Sequence, residues 1–375
     1  MSTIDAFAII YSGEENLLLK DLAVSRDMAA LPIAGRYKAV DFTLSNLVNS
    51  GITNIGLIVQ RNYHSLMGHL GSGTEWDLSR KREGLFVLPT FGTIDSSGGS
   101  SMIEALKDVM DYLERSRQKH VFFIANQPLY NTTYSRMLDF HMDIGADITI
   151  LYSNEPDIPN TADGYGRVSL YINEENRICD MEISSIAPQT RAVSMDVLVC
   201  ERELLINLVE SSYSRHQRST LVDVIMRRLG DVRVFGYEHS GAVKRIDTID
   251  CYFDANMAFL DKECRDDLFT GQGEVFTKLK DEVPTHYGSY GSGKNSVIAD
   301  GCLINGHVEN SVLFRGVKIA RGAVVTNSIV MQDSEVWEDS KLDYMILDKN
   351  VVITQGRTLM GSEGFPSIIR KGSRV

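Results

Sequence analysis

Several features that define other classes of protein are scarce or missing in this 375-residue sequence. The five cysteines lie far apart without a CxxC pair, which argues against a zinc site and a disulfide framework. No basic region precedes the short apolar stretch at the N-terminus, and no window approaches eighteen apolar residues. The sequence therefore predicts a cytoplasmic protein with neither a signal peptide nor a membrane span.

Positive charge is also in deficit, because 38 Lys and Arg face 50 Asp and Glu, giving a net charge of −12. Such a chain repels phosphate backbones on average, so we expect neither a nucleic acid nor a membrane as partner. A local basic pocket for a small phosphorylated ligand is still compatible with this charge. Hydrophobic residues make up 43% of the chain, as in ordinary packed proteins, and the length predicts two or three domains.

The first two-thirds of the chain alternate short apolar runs with helical patterns, which predicts an α/β layer fold with a mostly parallel sheet. The predicted strands are Phe7–Tyr11, Ile55–Val59, His120–Ala125, Asp147–Tyr152, Val193–Cys200 and Val232–Tyr237. The predicted helices are Ala39–Ser50, Met102–Ser116, Tyr134–Ile144, Arg202–Glu210 and Leu221–Leu229. Ligands bind beyond the carboxyl ends of strands in such sheets, so we expect the site after Tyr11 and after Ala125.

The last part of the chain has a different texture, since aliphatic residues recur there every six positions. The steps run from Ile298 to Ile304, through Leu313, Ile319 and Val325, through Val330, Val336 and Leu342, and from Ile346 to Val352. A period of six predicts a parallel β-helix, whereas a sandwich would show a period of two. The intervals that break the period are interpreted as looped-out corners. We expect an α/β domain over 1–240, a connector over 241–293, the β-helix over 294–360 and a tail over 361–375.

Five stretches carry a closer resemblance, namely residues 34–70, 128–150, 165–168, 192–199 and 248–257. They resemble the glucose-1-phosphate adenylyltransferase (ADP-glucose pyrophosphorylase) family over nearly the whole chain. The resemblance implies a Rossmann-like nucleotidyltransferase domain with a mostly parallel mixed sheet, followed by a left-handed β-helix of hexapeptide repeats. Family members transfer AMP from ATP to glucose 1-phosphate and release pyrophosphate for glycogen or starch synthesis.

The positions that this reaction needs are altered. The family's phosphate-loop arginine aligns with Leu18, its two metal aspartates align with Gln127 and Arg245, and its sugar-phosphate lysine aligns with Ser184. Neither Leu18 nor Arg245 can do the chemistry of the residue it replaces, and a glutamine amide gives Mg²⁺ no charge. We therefore expect an inactive or weakly active chain with no catalytic residue, metal site or cofactor of its own. Mg²⁺ is expected only in a catalytic partner.

The resemblance also implies a role for such a chain, because some bacteria pair a catalytic subunit with a homologous regulatory one. The sequence looks like the non-catalytic glycogen-synthesis subunit of Gram-positive bacteria, which predicts a heterotetramer with the catalytic homologue. Arg36 lies where activated members keep a lysine for a phosphorylated activator, and Lys38 is close by. Both are predicted to bind a phosphorylated sugar effector. Gly13, Gly98 and Gly99 could retain weak nucleotide binding.

Two other functions stay open at this point. One is an active sugar nucleotidyltransferase with an unorthodox metal and phosphate site, drawing on the spare carboxylates Asp41, Asp95, Asp180 and Asp247. The other is an acyltransferase, because hexapeptide β-helices often carry that chemistry. It would need a histidine in the repeats, and His307 is the sole candidate.

Overall fold

A computed structural model describes most of the chain. The described residues are 4–12, 19, 22–23, 26–60, 62–90, 102–125, 128–154, 167–183, 188–215 and 220–375. Within these ranges no helix has the length and apolar character that crossing a bilayer requires.

A nine-stranded mixed sheet organises the N-terminal part. Its strands are β1 (Ala6–Ser12), β4 (Asn54–Val59), β5 (Gly84–Pro89), β6 (His120–Ile124), β7 (Ile148–Asn154), β8 (Val168–Ile172), β9 (Ile178–Ile183), β10 (Ala192–Glu201) and β11 (Val234–Glu238), and a small hairpin pairs β2 (Pro32–Ile33) with β3 (Tyr37–Lys38). The order across the large sheet is β11-β7-β10-β6-β1-β4-β5, with β8 on β10 and β9 on β8. Strand β10 runs antiparallel to β6 and β7, whereas β1, β4, β5 and β6 are mutually parallel. The α/β prediction is confirmed.

Helices pack on both faces of this sheet, and two more lie within the segment predicted as a connector. They are α1 (Ala39–Asn49), α2 (His64–Leu70), α3 (Met102–Asp108), α4 (Met110–Arg115), α5 (Tyr134–Asp143), α6 (Arg202–Tyr213), α7 (Leu221–Met226), α8 (Ile249–Met257) and α9 (Lys262–Thr270), with 3₁₀ turns at Met28–Ala30, Thr74–Trp76 and Ala258–Leu260. The side chains of Thr248 and Asp261 cap the backbone amides of Cys251 and Cys264 at the starts of α8 and α9. These caps explain why the charged connector folds as two helices.

The C-terminal part is a triangular prism made of three five-stranded parallel sheets. The first sheet contains β12 (His286–Tyr287), β15 (Leu303–Ile304), β18 (Lys318–Ile319), β21 (Glu335–Val336) and β24 (Val352–Ile353). The second contains β13 (Ser292–Lys294), β16 (His307–Glu309), β19 (Val324–Thr326), β22 (Lys341–Asp343) and β25 (Thr358–Met360), and the third contains β14 (Val297–Ile298), β17 (Val312–Leu313), β20 (Ile329–Val330), β23 (Met345–Leu347) and β26 (Ser367–Ile369). This is the predicted left-handed parallel β-helix.

The prism is longer than the predicted segment 294–360. It begins with β12 at His286 and ends with β26 at Ile369, inside the segment interpreted as a tail. Both extensions lack the aliphatic period: the first coil is open to solvent on one side, and the last coil contains the insertion 361–366. Strand pairing with the neighbouring coil orders these residues without a hydrophobic pattern of their own.

One predicted step of the period, from Ile346 to Val352, is displaced by one residue. Leu347 and Ile353 point into the prism, whereas Ile346 faces the N-terminal part and Val352 is only partly buried. A one-residue shift in a strand exchanges its two faces, which is why these neighbours were confused. The nine-residue interval after Ile304 is not a looped-out corner, because it contains Val308, a further inward residue with no exposed surface.

A continuous apolar core joins the two parts. Outward side chains of the third sheet, together with Phe314 and Met331 of the corners, pack against the segment from Leu19 to Phe42 and against α8 and α9. The shared buried side chains include Leu31, Ile33, Phe42, Phe259, Val312, Ile329 and Ile346. This packing brings the corners that follow the third sheet next to the β2–β3 hairpin.

Candidate functional site

Three of the four positions predicted to mark the lost catalytic site, Leu18, Gln127 and Ser184, lie outside the described residues. The residues predicted to retain weak nucleotide binding, Gly13, Gly98 and Gly99, and the carboxylate Asp95 lie outside them as well. The structure does describe Ser12 at the end of β1, where its hydroxyl donates to the carboxylate of Asp27. It also describes Arg245, Arg36 and Lys38.

Arg245 lies at the edge of the large sheet where the sequence places the second metal aspartate. Backbone hydrogen bonds between Leu129 and Lys244 hold its segment beside the chain that follows β6. The Arg245 guanidinium donates to the carbonyl oxygen of Ser194 at 3.0 Å. Ser194 precedes a bulge in β10, where Asp196 has a φ of 56°. A guanidinium therefore occupies this position, and we call the region around Arg167, Arg245 and Asp247 the cleft.

The nearby carboxylate of Asp247 forms a two-point ion pair with Arg167. The Nε and Nη2 atoms of Arg167 lie 3.1 and 3.4 Å from its two oxygens, and both side chains are largely buried. Burial alone would raise the pKa of Asp247, but the charges of Arg167 and then Arg245 outweigh it and lower that pKa. Asp247 is thus ionised and neutralised by arginine.

This arrangement does not fit a divalent cation. Magnesium prefers carboxylate oxygens and repels cationic side chains, yet the Asp247 carboxylate is already paired with Arg167 and lies in the field of Arg245. Two other spare carboxylates lie elsewhere: Asp41 is buried in α1 and bonded to His69 and Thr277, and Asp180 lies on β9. The described residues therefore offer no replacement metal site at this edge.

A second region, between the hairpin and the β-helix, contains basic side chains without an acidic residue among its described lining. A cavity of about 200 Å³ opens here, lined by Pro32, Gly35, Arg36, Tyr37, Lys38, Ser65, Gly68, His69, Lys278, Lys280, Phe314, Arg315, Gln332 and Lys349. Six of these described residues are Lys or Arg, and none is acidic. We call it the basic pocket.

Both predicted effector residues line the basic pocket. Arg36 lies in the exposed turn of the β2–β3 hairpin and contacts Tyr37 through its hydroxyl, at 3.2 Å, and its ring. This turn approaches the β-helix closely, because a Cβ atom on Gly35 would lie 3.3 Å from the carbonyl oxygen of Leu313. Lys38 is buried, and its ammonium group donates to the carbonyl and hydroxyl oxygens of Ser65 at 2.6 and 3.1 Å.

Two lysines of the pocket have lowered pKa values. Burial, followed by the charge of Lys349, lowers the pKa of Lys38 to about 7. Burial, followed by the charge of Arg26, lowers the pKa of Lys349 to about 8. An anion bound between these ammonium groups would relieve their repulsion and restore their charge. The pocket is therefore electrostatically prepared for a phosphate group.

A buried ion pair braces the wall of this pocket. Arg26 donates two hydrogen bonds to Asp348, at 2.5 and 2.7 Å, and both side chains are almost fully buried. Asp348 precedes Lys349 in the β-helix, and Arg26 precedes Asp27, which accepts from Ser12 at the end of β1. The ion pair thus links a pocket lysine, through adjacent residues, to the end of β1.

Sequence reasoning missed Lys278, Lys280, Arg315 and Lys349. They come from separate segments and gather only because the β-helix packs on the hairpin. A partial signal existed, since Arg315 and Lys349 both fall in the corner after the third sheet.

The chain matches two family models. Residues 7–237 match the model described as Nucleotidyl transferase, and residues 282–363 match the model described as GlmU-like, C-terminal hexapeptide. The fold and the first of these matches define a nucleotidyltransferase-type protein with a hexapeptide β-helix.

Full-length relatives refine this assignment. The chain is 36% identical to the glycogen biosynthesis protein GlgD of Geobacillus stearothermophilus, covering 95% of this chain and 93% of the relative. It is 30% identical to GlgD of Bacillus subtilis (strain 168), with coverages of 94% and 92%, and 29% identical to the glucose-1-phosphate adenylyltransferase of Acetivibrio thermocellus, with coverages of 98% and 86%. The chain belongs to the nucleotidyl transferase family and, within it, to the glucose-1-phosphate adenylyltransferase family that includes GlgD.

Proposed function

We propose that this chain is a regulatory, catalytically impaired subunit of glucose-1-phosphate adenylyltransferase in bacterial glycogen biosynthesis. The observation that carries the proposal is a contrast within one molecule. At the cleft, Arg245 lies where the resemblance predicts a metal aspartate, and the nearby carboxylate of Asp247 is paired with Arg167. In the basic pocket, six cationic residues converge without an acidic residue among the described lining.

The impairment follows from the charge that the reaction develops. Transfer of AMP to glucose 1-phosphate expels pyrophosphate, and a metal ion normally bridges and neutralises the phosphate oxygens. Arg245 can contact a phosphate but cannot assemble the octahedral oxygen shell that Mg²⁺ demands. The side chain therefore supports anion binding without metal-assisted transfer.

The basic pocket supports regulation by a phosphorylated sugar. Arg36 offers an exposed planar guanidinium, while Lys38 and Lys349 offer point charges deeper in the cavity. The walls belong to both parts of the chain, so a bound anion bridges the hairpin and the β-helix. Fructose 1,6-bisphosphate has the charge and size to test this proposal.

Regulation requires a partner that turns over. We propose that the partner is the catalytic homologue, in a heterotetramer whose interfaces derive from one ancestral surface. An effector bound to this subunit changes the partner's activity only if it binds two states of the assembly with different affinities. Magnesium then acts in the partner's site alone.

The test measures pyrophosphate release from ATP, Mg²⁺ and glucose 1-phosphate. The purified chain is assayed alone and mixed with the catalytic homologue of the same organism, with and without fructose 1,6-bisphosphate. We expect no turnover by the chain alone, and a changed rate or effector response in the mixture.

Two controls make the result specific. A mixture containing the Lys38→Gln chain should lose the added effector response but still co-elute with the partner. Robust turnover by the chain alone would overturn the proposal and favour an active enzyme with an unorthodox metal site.

A further inference from the structure

One coil of the β-helix is shorter than the others. Most paired strands of successive coils are separated by 17 residues, as between Lys318 and Glu335, and the last pair, Met345 and Ser367, by 22, but Leu303 and Lys318 are only 15 apart. The missing residues belong to the corner between the first and second sheets, where only Asn305 and Gly306 join β15 to β16. The corresponding corner of the next coil has four residues, from Ala320 to Ala323.

The short corner leaves a notch between its neighbours. The coil below contributes Tyr290 and the coil above contributes Arg321, whose guanidinium lies over the Tyr290 ring, 4.1 Å from its centroid. Gly306 forms the floor without a side chain, because a Cβ atom there would lie 2.4 Å from the carbonyl oxygen of Ala323. The notch therefore results from the difference in length between neighbouring coils.

The notch opens into a groove of about 570 Å³ that follows this corner along the prism. Its described lining consists of Tyr290, Gly306, His307, Arg321, Gly322, Ala323, Val324, Glu338, Asp339 and Gln355. These residues span five coils, and coils are stacked about 4.8 Å apart, so the groove extends over about 19 Å. The basic pocket lies at a different corner, after the third sheet, so the two cavities are separate.

The chemistry of this lining selects against several ligand classes. Glu338 and Asp339 outweigh the single guanidinium of Arg321, which disfavours nucleotides and sugar phosphates. Few apolar side chains are present, which disfavours an amphipathic helix. What the groove offers is an exposed aromatic ring, 59% accessible, beside planar carboxylate, amide and guanidinium groups.

An aromatic face beside planar hydrogen-bonding groups suits a neutral polyol. The C–H faces of a pyranose ring pack on an aromatic ring, while carboxylates and amides bond to vicinal hydroxyl groups. His307 is held in place for such contacts, because Ser292 bonds to its Nδ1 at 2.8 Å and Glu309 to its Nε2 at 3.3 Å. With both nitrogens engaged, His307 offers its ring rather than the free base that an acyltransferase needs.

We propose that this groove binds a linear oligosaccharide, specifically an α-1,4-glucan chain lying along the β-helix. The class of ligand follows from the groove, and the choice of an α-glucan rests on the proposed role in glycogen biosynthesis. Such a site would hold the subunit at the polymer that its pathway extends.

The probe is maltoheptaose, measured by isothermal titration calorimetry with the full-length chain, together with migration in native gels containing glycogen. We expect saturable binding of maltoheptaose and slower migration in gels that contain glycogen. In Tyr290→Ala, the affinity for maltoheptaose should fall at least tenfold and the effect of glycogen on migration should be reduced at least tenfold. Tyr290→Phe keeps the aromatic face and should remain within about threefold of the parent. Phe365→Ala, which removes another exposed aromatic from the last coil, is the matched control and should bind normally.

Cellohexaose, the β-linked counterpart, should bind at least tenfold more weakly than maltoheptaose. Equal binding of the two oligosaccharides, absence of saturable binding by the parent, or normal binding by Tyr290→Ala would each overturn the proposal. These outcomes do not depend on the pyrophosphate assay, so failure here and failure of the regulatory function are distinguishable. Because Tyr290 is exposed, its variant should keep the parental melting temperature, which verifies that folding is intact.

Discussion

Two regions of this molecule gather positive charge, and they differ in what faces it. At the cleft, Arg167 forms an ion pair with Asp247, and Arg245 donates to a backbone carbonyl and adds its charge to that carboxylate. In the basic pocket, Lys38 and Lys278 donate to the oxygens of Ser65 and Gly68, which carry no net charge. Asp247 thus offsets the cationic charge in the cleft, and Asp300 pairs with Arg315 in the wall of the pocket. The hydrogen bonds of Lys38 and Lys278, in contrast, go to neutral oxygens.

The difference shows two ways in which one fold can hold buried cations. Pairing a cation with a carboxylate offsets part of the cost of burying its charge. A pocket proposed to bind an anion would lose affinity if all its cations were paired in this way. Burial, and then the charge of Lys349, lowers the pKa of Lys38, and a perturbed pKa of this kind in a cavity is a reason to test the pocket for a ligand.

The largest change in stability should come from breaking the buried ion pair between Arg26 and Asp348 in the wall of the pocket. Asp348→Ala leaves the Arg26 guanidinium buried without its partner, so the free energy of unfolding should fall by about 3–5 kcal/mol. Urea denaturation measures this change, and Asp281→Ala, at an exposed position, is the matched control. The double variant Arg26→Met with Asp348→Leu should recover most of the loss, and an equally unstable double variant would contradict the argument.

The next effect tests the cations that a ligand should compensate. Lys38→Gln removes one buried ammonium group from the pocket and should weaken fructose 1,6-bisphosphate binding by about 10- to 100-fold, as expected for one charged hydrogen bond. Isothermal titration calorimetry gives the dissociation constant. Lys318→Gln, on the outer face of the first sheet, should leave it unchanged, and equal losses in both variants would remove the distinction between the pocket and the general surface.

A third variant tests whether the cleft can bind an anion once its carboxylate charge is removed. Asp247→Asn keeps the shape of the side chain but withdraws the charge that faces Arg167, so we expect a loss of about 1–2 kcal/mol of stability for this partly exposed pair. Inorganic phosphate should then raise the melting temperature more in this variant than in the parent. Asp231→Asn is an exposed control, and a parental response to phosphate would show that the cleft cations do not form an anion site.

The smallest effect is a pH dependence confined to the pocket. Lys38, with a pKa of about 7, and Lys349, with a pKa of about 8, lose their charge between pH 7 and 8.5, while the phosphate groups stay ionised. Affinity for the sugar bisphosphate should therefore fall by about three- to tenfold over this range as these two ammonium groups discharge. Calorimetry across the range measures it, and a flat profile would contradict the two low pKa values.

The unliganded chain should respond in the opposite direction. Above pH 7 the unfolded chain binds more protons at Lys38 than the folded chain does, so this residue contributes stability that rises with pH. Thermal unfolding at pH 7 and 8 should show a smaller gain in Lys38→Gln than in the parent.

Several parts of this structure could be read from the sequence for simple physical reasons. Strands such as β1 and β6 are short and buried on both faces, so continuous apolar runs identify them. The hexapeptide period identifies the β-helix because each coil repeats the same inward positions. Arg36 and Lys38 could be selected as effector residues from the resemblance, and both line the pocket.

Other parts depend on tertiary structure and gave no local signal. The β8–β9 hairpin is partly exposed, and α9 is a polar helix with one buried residue, Leu268. Both α8 and α9 are stabilised by their caps and by packing on the β-helix. Lys349 reaches the pocket from a corner far along the chain, and Arg167 meets Asp247 across 80 residues. Contacts of this kind depend on the tertiary fold, so the spacing of residues along the chain does not predict them.

The short corner at Asn305 and Gly306 has a consequence for how this molecule can change. Strand pairing constrains only the two or three residues of each strand. At this corner two residues are missing, yet the strands on either side pair in register with those of the next coil. Insertions and deletions at corners are therefore nearly silent for folding but reshape the surface directly. The β-helix can acquire or discard recognition sites one corner at a time, which makes it an evolvable surface.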